Sequence, residues 1–205
     1  MQKFLQSFSY IFHPLFIPAY VTVFYFFIAH TFFYQNEIYL VFVQVLILTV
    51  LLPISLYYLL RSLGLIKSKM LLSKKERRLP LAFYALLLFI LIKHSFSTFM
   101  IPELSNYFIG LLISTLIALA LVLFNHKASL HMMAIASLFI FAISISVYYH
   151  IQLISTVAFL VLCMGSVASS RLQVKAHNAS ELVLGTLIGV VPQIGLWYFW
   201  LLPSL

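Results

Sequence analysis

The sequence predicts an all-α, polytopic transmembrane helical bundle of about six to seven spans. Of its residues, 64% are hydrophobic and only 8% are charged, whereas a soluble chain carries roughly a quarter charged residues. Apolar runs of about the 20 residues that a helix needs to cross a bilayer recur along the whole chain. Runs such as residues 107–124 show no alternation of apolar and polar side chains, and such alternation is typical of transmembrane barrels.

The expected spans lie between positions where charges, Pro and Asn cluster, and each is long enough at about 1.5 Å of rise per residue. We expect the first span to be a retained helix rather than a signal peptide, because Pro14 and Pro18 interrupt its apolar stretch and no small-residue cleavage site follows. The weakest boundary is at His150. Together the spans predict a single integral membrane domain, residues 1–205. In order, the predicted spans are residues 10–33, 38–60, 79–100, 106–124, 130–149, 151–168 and 181–202.

The net charge is +8, and nearly every Lys and Arg lies in loops on one face of the predicted bundle, with Lys93 as the main exception. Residues 61–78, 125–127 and 169–175 reach this face, because the second, fourth and sixth spans end there. The positive-inside rule alone explains a basic face on the cytoplasmic side. The alternative is that the cations bind phosphorylated lipids. Both interpretations favour membrane lipids as partners over nucleic acid.

The segment Ser-Arg-Leu-Gln-Val-Lys-Ala-His-Asn-Ala-Ser-Glu, which ends at Glu181, is the most informative. If the last helix begins near Asn178, then His177 and Glu181 are four residues apart and share one helical face. A carboxylate that accepts from one imidazole nitrogen fixes the tautomer and leaves the other nitrogen as nucleophile or base. A compatible alternative is that Asn178 caps the helix with Glu181 in a capping box. Gly185 and Gly189 continue the stripe and predict close approach of a neighbouring helix.

A second segment, Lys-Ala-Ser-Leu-His, stands at the start of a predicted helix. Backbone N–H groups at a helix N-terminus form an anion site, which Ser129 and Lys127 would reinforce. His131, on the first turn, could protonate a departing oxygen. The alternative for an isolated histidine at this position is contact with lipid headgroups.

The third segment, Lys-Lys-Glu-Arg-Arg-Leu-Pro, begins at Lys74. Arg77 and Arg78 are suited to bidentate phosphate contacts, and the alternative is a solvated basic loop. The other histidines lie near span ends without an acidic or Ser-Arg neighbour, so we interpret them as interfacial: His13, His30, His94, His126 and His150.

Together these residues resemble the type 2 phosphatidic acid phosphatase superfamily of membrane-bound phosphatases. The third motif of that family is Ser-Arg, five residues, His, and an acid four residues on. Ser170, Arg171 and His177 match it, with Glu181 where Asp is usual.

The other two motifs of the family match less fully. In the second, Pro-Ser-Gly-His, Ser129 and His131 match and Leu replaces the Gly between them. The first, Lys, six residues, Arg-Pro, is echoed loosely by Arg77 or Arg78 with Pro80, and Lys is absent at the required spacing. The resemblance covers residues 74 to 189.

The resemblance implies a helical bundle with a core like that of the family, and a phosphatase that works through a phosphohistidine without a metal or other cofactor. His177 would attack phosphorus, Glu181 would steady it, and His131 would protonate the leaving group. The phosphate oxygens would be held by cations and hydroxyl groups: Arg171, Arg77, Arg78, Lys127, Ser129 and Ser170, with Lys74 or Lys127 in place of the missing first-motif lysine.

So little extramembrane mass favours a lipid substrate, a phosphate or diphosphate monoester such as an isoprenyl diphosphate, phosphatidic acid or phosphatidylglycerol phosphate. The resemblance implies the inner membrane of a bacterium, where many relatives act on the outer face, although the charge bias favours the cytoplasmic face. The alternative function is a catalytically degenerate protein that binds or transports lipids. Transporters often carry internal repeats and midplane polar sites. The sequence has no repeat, and its polar residues gather at one edge, which favours the enzyme.

Overall fold

The computed structural model describes residues 2–66, 73–96 and 101–201, except for the side chains of residues 2–6, 74 and 200–201. Every regular element in these ranges is helical, and six helices are long and apolar enough to cross a membrane. The prediction of an all-α polytopic bundle is therefore confirmed, and the chain is an integral multi-pass membrane protein. The six spans are Gln35–Ser62, Lys75–Phe96, Pro102–Leu123, Leu130–Tyr148, Ile154–Gln173 and Ala179–Phe199.

Nine α-helices make up most of the described chain. Turns of π-helix follow three of them: one joins α3 to α4, one extends α5 and one extends α9. In order, the helices are α1 Gln2–Ile11, α2 Ile17–Ala29, α3 Gln35–Leu46, α4 Leu52–Ser62, α5 Lys74–Leu91, α6 Pro102–Leu123, α7 Leu130–Tyr148, α8 Ile154–Gln173 and α9 Ala179–Leu196.

The first predicted span, residues 10–33, is wrong as a continuous helix. Helix α1 ends at Ile11 and α2 begins at Ile17, with a turn between them in which the Phe16 N–H donates to the His13 carbonyl at 2.9 Å. Pro14 explains the break, because proline has no N–H to donate and keeps the preceding residue out of helical geometry. The apolar helix after the turn is shorter than the six spans.

Several other helices start or end outside their predicted bounds. Helix α5 begins five residues before the predicted position 79, and α8 runs on to Gln173 rather than stopping at residue 168. In both cases basic residues belong to the helix, because a charge marks the membrane edge without ending the helical hydrogen bonds. Helix α6 begins at Pro102, since proline at a first helical position loses no hydrogen bond.

The chain forms two compact units. The terminal unit consists of Met1–Ile17 and Ala128–Leu205, and the middle unit of Pro18–Lys127. In the terminal unit, α7 packs against both α8 and α9, and α1 packs against α8. In the middle unit, α5 packs against α6 and α4. The single membrane domain of residues 1–205 stays a prediction.

Two glycines allow α7 and α9 to pack closely, as the sequence predicts. A Cβ atom on Gly185 would collide with the backbone carbonyl of Ser129, and one on Gly189 would collide with that of Met133. From the first contact to the second, the position moves four residues forward in α9 and also four residues forward in α7. The two helices therefore run parallel, and they begin side by side. Small residues at such contacts bring helix backbones together.

We expect Gly189→Ala to destabilise the protein by about 1–3 kcal/mol, because the added methyl group overpacks the α7–α9 contact. Gly165→Ala is the matched control, since a Cβ atom at Gly165 meets nothing within 4 Å and alanine is the better helix former. Thermal unfolding of both variants in detergent measures the difference. Equal midpoints for the two variants would contradict the close packing.

Candidate active site

The first turns of α7 and α9 are joined directly in the terminal unit. The Ser129 N–H donates to the Glu181 carbonyl at 3.0 Å. Ser129 caps α7 by accepting from the Met132 N–H at 3.4 Å, and Asn178 caps α9 by accepting from the Glu181 N–H at 2.8 Å. Because the helices are parallel, their positive dipole ends lie together, which favours an anion at this end of the unit.

His177 and Glu181 form the hydrogen bond that their spacing predicts. The Nδ1–H of His177 donates to Glu181 Oε2 at 2.6 Å, and His177 is buried. In this tautomer the neutral imidazole has its acceptor lone pair on Nε2. The predicted Asn178 cap is also present, while the Glu181 carboxylate bonds the imidazole. The pair has the geometry of a nucleophile oriented by an acid.

His131 lies on the first turn of α7, as predicted. Its Nε2 is 3.2 Å from the backbone carbonyl of Ser9 in α1. A carbonyl oxygen can only accept, so Nε2 carries the proton and Nδ1 is the acceptor of the neutral ring. Arg171, His13 and His177 all lie close enough to His131 for their charges to interact with it. The two motif histidines therefore lie at the same end of the terminal unit, on the joined first turns of α7 and α9.

Arg171 lies in the last turn of α8 and contributes the fixed positive charge of this cluster. Its Nε atom is buried, and no group in the described part of the chain accepts a hydrogen bond from it. Its charge interacts with Tyr10 and with His13 and His131. A buried donor without an acceptor carries a free-energy penalty, and an anion bound here would remove it.

The two motif serines, Ser129 and Ser170, are fully buried. The side-chain oxygen of each already accepts one hydrogen bond. Ser170 Oγ accepts from Ser9 Oγ at 2.7 Å, which ties α1 to α8, and Ser129 Oγ caps α7. A hydroxyl that accepts one bond keeps its own proton for another. Their predicted role as phosphate ligands stays a prediction.

The remaining predicted phosphate ligands belong to the middle unit, and their roles also stay predictions. Arg77 is buried in α5, and the neighbouring Arg78 has a buried Nε atom without an acceptor in the described ranges. Lys127 is the last residue of the middle unit. Lys74 begins α5, and its side chain lies outside the described atoms.

Two residues of the cluster are missing from the sequence prediction: Ser9, and His13, which the sequence assigns to the membrane interface. The interfacial assignment stays a prediction, but it did not include the contact of the His13 ring, which packs edge-to-face on His131 with centroids 5.3 Å apart and planes at 82°. Burial lowers the pKa of His13 from its usual value of 6.5, and the Arg171 guanidinium lowers this pKa further. The available signal was the i, i+4 spacing of Ser9 and His13 ahead of Pro14.

We expect the folded protein to lose stability as the pH falls below about 6.5, because the pKa of His13 is lower in the folded state than in the unfolded state. The unfolded chain then binds more protons in this range, and the stability lost is greatest below the folded pKa. Thermal unfolding between pH 7.5 and 5.0 should show a shallower pH dependence for His13→Phe than for wild type. His126→Phe, at an exposed ring, should keep the wild-type dependence. A His13→Phe profile parallel to wild type would contradict this prediction.

Within the described ranges, no group of three or more His, Cys, Asp or Glu side chains is placed to hold a metal ion. Comparisons of the chain with protein-family models, with curated proteins and with solved structures found no match.

Proposed function

We propose that this protein is a membrane phosphatase that hydrolyses a phosphate or diphosphate monoester of a lipid through a phosphohistidine intermediate, as the resemblance to type 2 phosphatidic acid phosphatases implies. The observation that carries the proposal is the cluster at the joined helix N-termini. It combines an imidazole oriented by a carboxylate, His177 with Glu181, a second oriented imidazole, His131, and the unsatisfied Arg171 donor. Phosphoryl transfer needs little beyond such positioning and charge stabilisation.

In the first step, the Nε2 lone pair of His177 attacks phosphorus and the bond from phosphorus to the lipid oxygen breaks. Glu181 accepts the hydrogen bond from Nδ1–H and stabilises the positive charge that develops on the ring. The negative charge of the bound phosphate favours the imidazolium form of His131, and this form gives its Nδ1 proton to the departing oxygen. The lipid leaves as an alcohol, or as a monophosphate when the substrate is a diphosphate.

In the second step, water attacks the phosphohistidine and the bond between nitrogen and phosphorus breaks. His131, neutral after the first step, accepts the proton of this water at Nδ1 and is ready for the next turnover. Inorganic phosphate leaves and His177 regains its lone pair. His131 therefore acts as a general acid in the first step and as a general base in the second.

Arg171 and the two helix N-termini supply the charge stabilisation. The transferred phosphoryl group spreads negative charge over its outer oxygens, and a guanidinium can hold two of them at once. Donors that are fixed before the reaction, in a poorly solvated site, stabilise this charge more strongly than water does. The buried Nε atom of Arg171, which has no acceptor in the described part of the chain, supports this role.

The position of the cluster at the ends of the spans supports a lipid substrate. His131 lies at the start of one span, Arg171 near the end of another and Glu181 near the start of a third. The ends of membrane spans lie near the lipid headgroups, so the phosphate of a lipid would reach the cluster while its chains stay in the bilayer. Isoprenyl diphosphate, phosphatidic acid and phosphatidylglycerol phosphate are the proposed substrates, and the bacterial inner membrane is the proposed location.

The test is phosphate release from these lipid phosphates by wild type, His177→Ala and His131→Ala in detergent or vesicles. We expect release by wild type only, with His126→Ala as an active control. Equal release by wild type and both site variants would remove the enzyme interpretation. Binding of lipid phosphate without release by wild type would instead favour the catalytically degenerate lipid-binding protein, in which Leu130 replaces the glycine of the second motif.

A further inference from the structure

We propose that residues 9–13, the last residues of α1 and the start of the turn that follows it, form part of the catalytic site, with His13 as the positioning residue for His131. The catalytic part of this inference rests on the proposed function, whereas its geometric part does not. Three contacts support this inference. The Ser9 backbone carbonyl accepts a hydrogen bond from His131, the His13 ring packs on the His131 ring, and a hydrogen bond between two hydroxyl groups joins α1 to α8.

The first contact selects the tautomer of His131. Ser9 lies in the last turn of α1, where helix carbonyls have no donor within the helix. Its carbonyl accepts from His131 Nε2–H at 3.2 Å instead. Because Nε2–H of His131 is used in this hydrogen bond, Nδ1 is the atom that exchanges a proton with the substrate. The end of α1 thus decides which face of the imidazole is reactive.

The second contact restricts rotation of the His131 ring. One hydrogen bond leaves a ring free to tilt about the bonded atom, and the edge-to-face contact with His13 limits that tilt. The turn orients His13 itself, because His13 Nδ1 accepts from the Leu15 N–H at 3.4 Å. Pro14 lies inside this turn, so the proline that ends α1 also places the ring against His131.

The third contact ties this segment to the phosphate-binding end of α8. Ser9 Oγ donates to Ser170 Oγ at 2.7 Å, with both side chains buried, and Arg171 is the next residue. The charged groups around His13 are Arg171 from α8 and His131 from α7. A neutral His13 adds ring packing without a further positive charge beside the proton that His131 must carry.

The kinetic test compares His13→Ala with His13→Phe. We expect His13→Ala to lower kcat by about 10- to 100-fold, as small misplacements of reacting groups do, with KM nearly unchanged because Arg171 is intact. His13→Phe keeps an aromatic edge against His131 and should recover most of the wild-type kcat. A His13→Phe variant as slow as His13→Ala would overturn the positioning role, since the ring nitrogens of His13 would then be required.

The second readout does not depend on activity. In protein with 15N-labelled histidine in detergent micelles, the His131 signal, assigned by its loss in His131→Gln, should report the Nε2–H tautomer. In His13→Ala we expect a mixture of both tautomers. We expect the same mixture in Ser9→Ala, which keeps the Ser9 carbonyl but loses the hydroxyl bond that holds α1 on α8. This variant provides the test if His13→Ala does not fold.

The two readouts separate this inference from the proposed function. If wild type releases no phosphate from any lipid phosphate, the proposed function fails, and the tautomer measurement still decides whether residues 9–13 hold His131. An unchanged His131 tautomer in folded His13→Ala, together with a wild-type kcat where activity is present, would overturn the inference.

Discussion

His177→Ala loses phosphate release by on the order of 10⁴-fold or more, the largest effect that we expect from any single substitution. Alanine has no lone pair with which to attack phosphorus, so the covalent step cannot occur and only transition-state binding by the rest of the site remains. The lost bond to Glu181 is local to the first turn of α9. The variant should therefore still fold, with spans and helix content unchanged by circular dichroism.

Glu181→Gln refines this prediction, because the glutamine amide oxygen can still accept from His177 Nδ1–H while the negative charge is lost. We expect a smaller loss of about 10²-fold, which separates the role of the charge from that of the tautomer. Phosphate release under saturating lipid substrate measures both variants, and His126→Ala is the control at an exposed histidine. Release by His177→Ala within tenfold of wild type would eliminate this residue as the nucleophile.

Arg171→Ala is expected to lower kcat/KM by about 10³-fold, in the range seen when a donor to a developing oxyanion is removed. Arg171→Lys restores the charge but not the planar fork, so a loss of about 10- to 100-fold should remain. Because the Nε atom of Arg171 is buried without an acceptor in the described chain, the folded protein gains little from this side chain when no anion is bound. Arg171→Ala should therefore keep or slightly raise the midpoint of thermal unfolding.

Arg171→Ala is thus expected to lower kcat/KM without lowering the midpoint of thermal unfolding. Removing an arginine that stabilises the fold would lower both the activity and the midpoint of thermal unfolding. Removing an arginine that only binds the ligand would lower the activity alone. Arg61→Ala, at an exposed position in the last turn of α4, is the control and should change neither. A large drop in the unfolding midpoint of Arg171→Ala would show that the guanidinium holds the fold rather than a phosphate.

The parts of the fold and of the cluster that local sequence determines could be predicted. Apolar runs of membrane-spanning length gave the helices, and the four-residue spacing of His177 and Glu181 gave their hydrogen bond, because both follow from helix geometry alone. The stripe of Gly185 and Gly189 predicted a close helix contact for the same reason. The partner helix, α7, was not predicted, since a stripe shows which face is small and not what covers it.

The parts that depend on tertiary packing could not be predicted. Ser9 contacts Ser170 across 161 positions of sequence and His131 across 122 positions, and no periodicity encodes such a return of the chain. The contact of His13 with His131 was not predicted, because His131 lies in another helix. The prediction of a continuous first span was wrong for a reason that is visible in the sequence, because Pro14 keeps its preceding residue out of helical geometry.

The most direct test of the account is to look for the phosphoryl group on the protein during turnover. A lipid phosphate that wild type hydrolyses, labelled in its terminal phosphoryl group, is mixed with the enzyme and quenched in alkali, where phosphohistidine survives. We predict labelled protein from wild type and none from His177→Ala, with peptide mass spectrometry placing the phosphate on His177. Steady hydrolysis without labelled protein, or a label on another residue, would contradict the central role given to this imidazole.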